Sequence, residues 1–385
     1  MTRKYIKKIS NKKKKYYRRI KNLKTRNNKN KKNNFTYKNK YHNYNLVGKW
    51  EKVFDKNINW QKIELSATGK YQNCIVRSKL APVIDPEGRG NLYNSYDFGN
   101  TWIPNKNKLN LNWEGIAISS SGKYQTSVDE GKHIYISHDY GKNWKNTNVQ
   151  SNWTAICISD SGKYQTALAN GFFPTDKGKG FIYISDNYGK NWNKKTDLSV
   201  SWVCLAMSSS GKYQIAGSFL IQGEEKYHFY DNGYVYNSED YGNTWVKNNS
   251  LSQSWWTCAS MSGTGEIQLI CAINCNLDIV PPGPIFISYD YGKNFNRVIT
   301  PKEEPWLTLC MSKSGKYMLA ASYKQQDKDK KDIPNTGGMI CSHDYGKTWK
   351  YTNAPRTQFT SVAINHSGSC AMATAWDDGI YKLFQ

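Results

Sequence analysis

The side chains best suited to do chemistry in this chain are its acids, and they fall into two sets. One set recurs. Asp97, Asp139, Asn187, Asp240, Asp290 and Asp344 take the third position of a phrase that reads Ser, any, Asp, aromatic, Gly, any, Asn or Thr, Trp. Its copies start at Ser95, Ser137, Ser185, Ser238, Ser288 and Ser342; Asn187 stands in the Asp slot of the third and Phe295 in the Trp slot of the fifth. An active site needs one constellation, and six copies of one acid do not make one. A short Asp accepts backbone N–H groups just ahead of it, and the Gly permits a positive φ, so the recurring acid reads as a turn device. The other set does not recur: Asp85, Glu87, Glu114, Asp129, Glu130 and Asp377. Glu114 stands out because it replaces the Thr, Val, Leu or Gln found at its position in the other repeats. Two such carboxylates facing each other across a cleft would be the equipment of a glycosidase.

The nine Cys and six His offer no ligand set. Cys157, Cys204, Cys258 and Cys310 fall inside one repeated strand, Cys74 and Cys271 inside the next, and no Cys-x-x-Cys pair occurs. We read them as small hydrophobes in a reducing compartment, with no metal site and no cofactor.

These residues are positioned by a second phrase, which appears seven times: an aromatic, a short apolar strand, then Ser-x-Ser-Gly-Lys-Tyr-Gln or a weaker copy. The aromatics are Trp60, Trp113, Trp153, Trp202, Trp256, Trp306 and Phe359. Each unit reads as strand A, a Ser-Gly turn, strand B, a variable loop, strand C, the acidic turn and strand D. Four short antiparallel strands per repeat is a propeller blade. The chain therefore predicts an all-β fold, a seven-bladed β-propeller of four-stranded antiparallel blades. Seven A–B hairpins but six acidic turns leave the last unit without a strand D. Gly48-Lys49-Trp50 resembles the strand that follows each acidic turn, so the N-terminal strand is expected to complete the last blade and close the ring.

The acidic turn resembles the Asp box, or BNR repeat, of a propeller family that includes sialidases, some endoglucanases, sortilin-type receptors and the photosystem II assembly factor. The resemblance runs from about residue 46 to 385. It implies the fold; the family's functions range from enzyme to receptor to chaperone. The sialidases of the family clamp a substrate carboxylate with three Arg. This propeller has only Arg77, Arg89, Arg297 and Arg356, and Arg77 and Arg297 map to strands B and D rather than to the central funnel. The assembly factor, with one chain and no evident catalytic set, is the nearest in plan.

Length variation concentrates in the B–C loops, so partners are expected on the B–C/D–A face, opposite the Asp boxes. The seven strand-A aromatics begin near the channel mouth on that face. They would either stack on a sugar or an extended peptide, or pack between blades.

Residues 1–45 differ from the rest. They carry 18 Lys and Arg and no Asp or Glu, against 36 basic and 30 acidic residues elsewhere. Such a segment is expected to stay disordered. Its block Lys12, Lys13, Lys14, Lys15, Arg18 and Arg19 would hold nucleic acid or another polyanion by counterion release. Solvation alone, or the codon bias of an A/T-rich genome such as that of a protist or its large DNA viruses, would also account for the composition. We expect two regions, 1–45 and 46–385, and a monomeric, intracellular protein, with association with a virion one form of that location. We expect no signal peptide and no transmembrane segment. The function expected is a non-enzymatic binding or assembly propeller, holding a protein or a glycan on its loop face, with a polyanion-binding arm. The alternative is a sialidase-like or endoglucanase-like glycoside hydrolase acting at that face.

Overall fold

The computed structural model describes residues 44–77, 90–106, 111–170, 179–198, 200–222, 229–273, 283–324 and 336–384. Tyr44–Gln385 forms one compact unit. Seven four-stranded antiparallel sheets make up the fold. Blade 3 is typical: strand A (Asn152–Ile158), strand B (Gln165–Asn170), strand C (Gly180–Ser185) and strand D (Asn193–Leu198). No helix of the described residues is long and apolar enough to cross a membrane.

The N-terminal strand Lys49–Asp55 pairs antiparallel with Gly379–Phe384, with Trp50 opposite Leu383, and supplies the outermost strand of blade 7. The rest of that blade is Phe359–Ile364, Ala371–Ala375 and Gly379–Phe384. Trp50 is buried with Leu46, Tyr381 and Leu383. The two ends of the compact unit therefore share one sheet, as the spare strand predicts.

The Asp boxes are turns built from side-chain acceptors. In blade 2, Ser137 Oγ donates to Asp139 Oδ1 at 2.8 Å and accepts from the Gly141 N–H at 3.0 Å. Asp139 Oδ1 also accepts the Asn143 N–H at 3.0 Å. Asn187 does the same work in blade 3, accepting from Asn191 N–H and Ser185 Oγ, each at 3.0 Å. The Trp that follows donates its indole N–H to the box Gly carbonyl in four boxes, at 2.9 to 3.1 Å. Gly is not alone in the left-handed region: the box aromatic just before it also sits there, as with Tyr140 at φ 67°. That conformation is costly for an aromatic residue. Stacking between blades holds it, for the Tyr that opens strand B in one blade lies on the box Tyr of the next. Tyr71–Tyr140, Tyr124–Tyr188, Tyr164–Tyr241 and Tyr213–Tyr291 have centroids 4.5 to 4.7 Å apart.

The A–B turns do more than reverse the chain. Residue 67 donates its N–H to the carbonyl of Ser120, Ser120 to Asp160, Asp160 to Ser209, Ser209 to Gly263, Gly263 to Lys313, Lys313 to His366, and His366 back to Ala67, all at 2.8 to 3.2 Å. One backbone hydrogen bond per blade thus forms a closed ring around the base of the central channel.

Candidate functional site

Every strand A carries an irregularity just after its aromatic. Pairing skips from Trp113 to Gly115 in blade 2, from Trp153 to Ala155 in blade 3, and likewise in the other five. A bulge of this kind re-aims one side chain. The residues it re-aims, from Gln61 in blade 1 to Thr360 in blade 7, line the central channel, and Glu114 is the only acid among them. The channel has a volume of about 870 Å³. Its wall mixes small residues such as Gly115, Ala155, Cys157 and Ser260 with larger apolar ones such as Ile118, Leu205 and Leu309.

The mouth lies at the B–C/D–A end. There Arg77 Nη2 stands 2.5 Å from Glu114 Oε1 and 3.9 Å from Glu130 Oε2. Glu130 also accepts the Asn112 side-chain N–H. Arg77 is therefore part of the channel rim, which corrects the placement expected from strand position alone. It directly follows strand B (Gln72–Val76), and its N–H still donates to the Asn59 carbonyl at 3.0 Å, beside the start of strand A. Behind this cluster Asp129 is fully buried; burial pushes its carboxyl above the usual range, against the opposing pull of Lys132 and the Asn112 N–H.

Midway down, one wall carries the Lys62–Glu64 ion pair at 3.1 Å. Burial works against the Lys62 charge, but the Glu64 carboxylate outweighs it and holds the ammonium above the ordinary lysine range. Cys157, Cys258 and Cys310 are only half buried because they too face the channel. Desolvation pushes all three thiols up, so they remain thiols at neutral pH.

At the base, Lys313 Nζ meets Asp160 Oδ1 at 2.7 Å, and His366 Nε2 lies 3.9 Å from the same oxygen. Asp160 belongs to blade 3 and Lys313 to blade 6, which stand across the ring from one another, so the ion pair bars the base of the channel. Burial raises the Asp160 carboxyl, but Lys313 and hydrogen bonds prevail and lower it. Burial, then the Lys313 charge, brings the His366 imidazole down to about 4, so it is neutral at pH 7. The channel is a cup closed at its Asp-box end.

All seven strand-A aromatic rings are at most 1% exposed, which leaves no ring face open for stacking; Trp113 stands edge-on to Tyr135 of its own blade at 5.4 Å and packs with Ile75 and Leu92 of blade 1. Several anchor the loops through their indole N–H: Trp113 donates to the Gly90 carbonyl at 3.0 Å and Trp60 to the Lys56 carbonyl at 3.0 Å. Asp377 takes a positive φ of 47° in the last B–C turn, and it is Asp378 that bonds, to Lys52 at 2.5 Å and Tyr381 Oη at 2.7 Å. Arg297 pairs with Glu303 at the surface. Arg356 stacks on Tyr351 at 5.1 Å. Asp85, Glu87, Arg89 and the polyanion block Lys12–Lys15, Arg18 and Arg19 lie outside the described residues, as do most of the long B–C loops.

Among the described residues no group of three His, Cys, Asp or Glu is spaced to hold a metal ion. Sequence reasoning missed Lys62, Glu64, Asp160, Lys313 and His366. Each replaces a small residue at one register position of a repeated strand or turn, which is the same signal that marked Glu114.

The BNR-Asp box repeat family matches at residues 134–147 and 182–196, the second and third boxes. With the seven four-stranded blades, this decides the class. The chain is an Asp-box β-propeller. No curated protein matches it at significance. Among solved structures, this Asp-box propeller is similar to a GH74 xyloglucanase from Xanthomonas campestris, at 12% identity and TM-score 0.62, over 87% of this chain and 53% of that one. The chain thus spans about half the length of that enzyme. It is similar also to YCF48 bound to a D1 peptide, at 15% identity and TM-score 0.60, covering 89% of this chain and 96% of that one. YCF48 from Cyanidioschyzon merolae matches at 13% identity and TM-score 0.58, covering 87% and 98%. At such identities the likeness is one of fold.

Proposed function

We propose that this Asp-box propeller is a non-enzymatic binding or assembly protein that takes an extended segment of a partner protein into the mouth of its central channel. The observation that carries the reading is Arg77 between Glu114 and Glu130. A glycosidase turns two carboxylates toward the bond it cleaves. Here both carboxylates turn toward one guanidinium, which suits recognition better than proton transfer. The cup behind them, with walls of mixed polar and apolar side chains and a barred base, would receive a narrow chain from the loop face only. A propeller of this build that holds a peptide, YCF48, is consistent with this use. The basic arm, residues 1–45, would add a sequence-independent hold on nucleic acid or another polyanion.

Ser260 lines the channel and is half exposed to it. Ser260→Trp would fill the cup without touching the blade cores. On an array of unstructured synthetic peptides, the full-length protein should retain a subset that Ser260→Trp loses, with thermal unfolding unchanged. Equal retention by both proteins would remove the channel from the account. Deleting residues 1–43, which hold all 18 basic residues of the arm and leave Tyr44 and Asn45 in place, should flatten the salt dependence of elution from a DNA column; an unchanged profile would remove the arm.

A further inference from the structure

The Asp boxes of blades 2 and 6 both place a His at the second position, His138 and His343, and the structure gives the two rings opposite hydrogen-bonding duties. His138 Nε2 lies 2.9 Å from the Tyr188 carbonyl, which can only accept, so this nitrogen carries a proton. His343 Nε2 lies 2.9 Å from the Leu46 backbone N–H, which can only donate, so here Nε2 must present its lone pair. That ring is neutral, with its proton on Nδ1. Adding a proton leaves the His138 bond intact. Adding one to His343 sets two N–H groups against each other.

What His343 grips is the segment that substitutes for the missing seventh Asp box. Tyr44 lies on Tyr317 at 5.7 Å, where the equivalent Tyr of four other blades meets the box Tyr of its neighbour. The Tyr44 N–H donates to Tyr317 Oη at 3.2 Å. Asn45 closes a tight turn: its carbonyl accepts the Gly48 N–H at 3.2 Å, as the box Asp97 carbonyl accepts from Asn100, and its Oδ1 accepts the Val47 N–H at 3.2 Å. Leu46 is wholly buried beside Trp50 and Leu383. From here the chain enters the strand that closes the ring.

We infer that His343 is an acid-sensitive latch, which holds residues 44–48 in the vacant seventh box when neutral and releases them when protonated. The charged groups around the ring are Lys350 from the start of strand D, Lys316 from the A–B turn and Asp344 of its own box; the Tyr317 ring stands edge-on at 6.0 Å. Burial first, then Lys350, outweigh Asp344 and, with Lys316, lower the imidazole below its ordinary value. A lowered pKa in the folded state means that the latch is at full strength above about pH 6.5, the free imidazole value, and weakens as pH falls below it.

Two measurements on the full chain test this. The ¹⁵N resonance of His343 Nε2 at about pH 7.5, well above the free imidazole value, should be that of an unprotonated nitrogen, and that of His138 Nε2 a protonated one. Amide exchange at Leu46, corrected for the intrinsic pH effect, should speed by about tenfold or more between about pH 7.5 and pH 5 in the wild type. Exchange at Lys52, within the Lys49–Asp55 ladder, serves as the control that the strand stays paired. His343→Gln offers a carbonyl acceptor at similar reach that does not titrate, and its Leu46 exchange should show no such step. A protonated His343 Nε2 at neutral pH, or wild-type Leu46 protection that does not change with acid, would overturn the proposal. The tautomer is read on the wild type, so the test survives a variant that fails to fold.

Discussion

The backbone N–H of His366 donates to the carbonyl of Ala67 at 3.2 Å, and that bond joins the last A–B turn to the first. It completes a circle of seven such bonds at one end of the channel, while Lys49–Asp55 on Gly379–Phe384 completes the sheet at the periphery. The propeller is thus closed twice, at its hub and at its rim. Closure at the rim removes a sheet edge and brings the two ends of the compact unit into one blade.

Rim closure has a measurable energy. Trp50→Ala removes a large side chain that is 6% exposed and packed on Leu46, Tyr381 and Leu383. It should cost about 3–5 kcal/mol in urea denaturation. A loss under about 1 kcal/mol, typical of a surface change, would mean that the strand adds little to the ring.

The Asp boxes make a contrast that the chain itself supplies. Asn187 shows that a neutral amide can serve the turn. Asp139→Asn should therefore cost less than about 1 kcal/mol. Asp139→Ala, which strands the Ser137 hydroxyl and the Asn143 N–H, should cost about 1–3 kcal/mol. Equilibrium unfolding of the two variants decides it.

The same groups set an acid limit. At Asp97, Asp139, Asp240, Asp290 and Asp344 partial burial raises the carboxyl, but the hydrogen bonds from backbone, Ser, Asn and Thr prevail and lower it. A lowered folded-state pKa gives stability that is complete above about pH 4 and is lost as pH falls through the folded-state values. Unfolding monitored by tryptophan fluorescence should show a stability decline below about pH 4, and Asp→Asn at all five boxes should reduce its slope.

Glu304 predicts a strong single-site effect. Buried at 1% exposure, it accepts Tyr351 Oη at 2.5 Å, the Ser322 hydroxyl and the Gly338 N–H at 3.4 Å, so it ties together both ends of the loop between residues 322 and 338. Burial and then the Glu304 bond push the Tyr351 phenol up to about 12. Glu304→Ala should destabilise by about 3 kcal/mol, because the Tyr351 hydroxyl and the Gly338 N–H lose their acceptor, and should bring the Tyr351 ionisation, followed by ultraviolet absorbance, back toward about 10.

Much of this was legible in the residues themselves. The count of blades came from the aromatic-to-Ser spacing, and the closure from one unmatched Gly48-Lys49-Trp50, because period and strand length survive in sequence however far other positions drift. The channel chemistry was less legible. Glu114 was visible as a deviation, but its partner Arg77 lies in the neighbouring blade, and nothing in the local sequence says that the two side chains meet. Lys313 and Asp160 are separated by three blades, and nothing local says that their turns face each other across a ring. The aromatics posed the reverse problem: a Trp at the start of an inner strand reads equally as a binding platform or as packing, and burial alone separated the two.

In the function proposed above, Arg77, Glu114 and Glu130 recognise a partner and do not cleave one. Its most direct test is hydrolysis of xyloglucan and of a fluorogenic sialoside by the full-length protein and by Glu114→Gln. No turnover above buffer is expected for either protein on either substrate. Turnover by the wild type that Glu114→Gln abolishes would contradict it and make the channel mouth an active site.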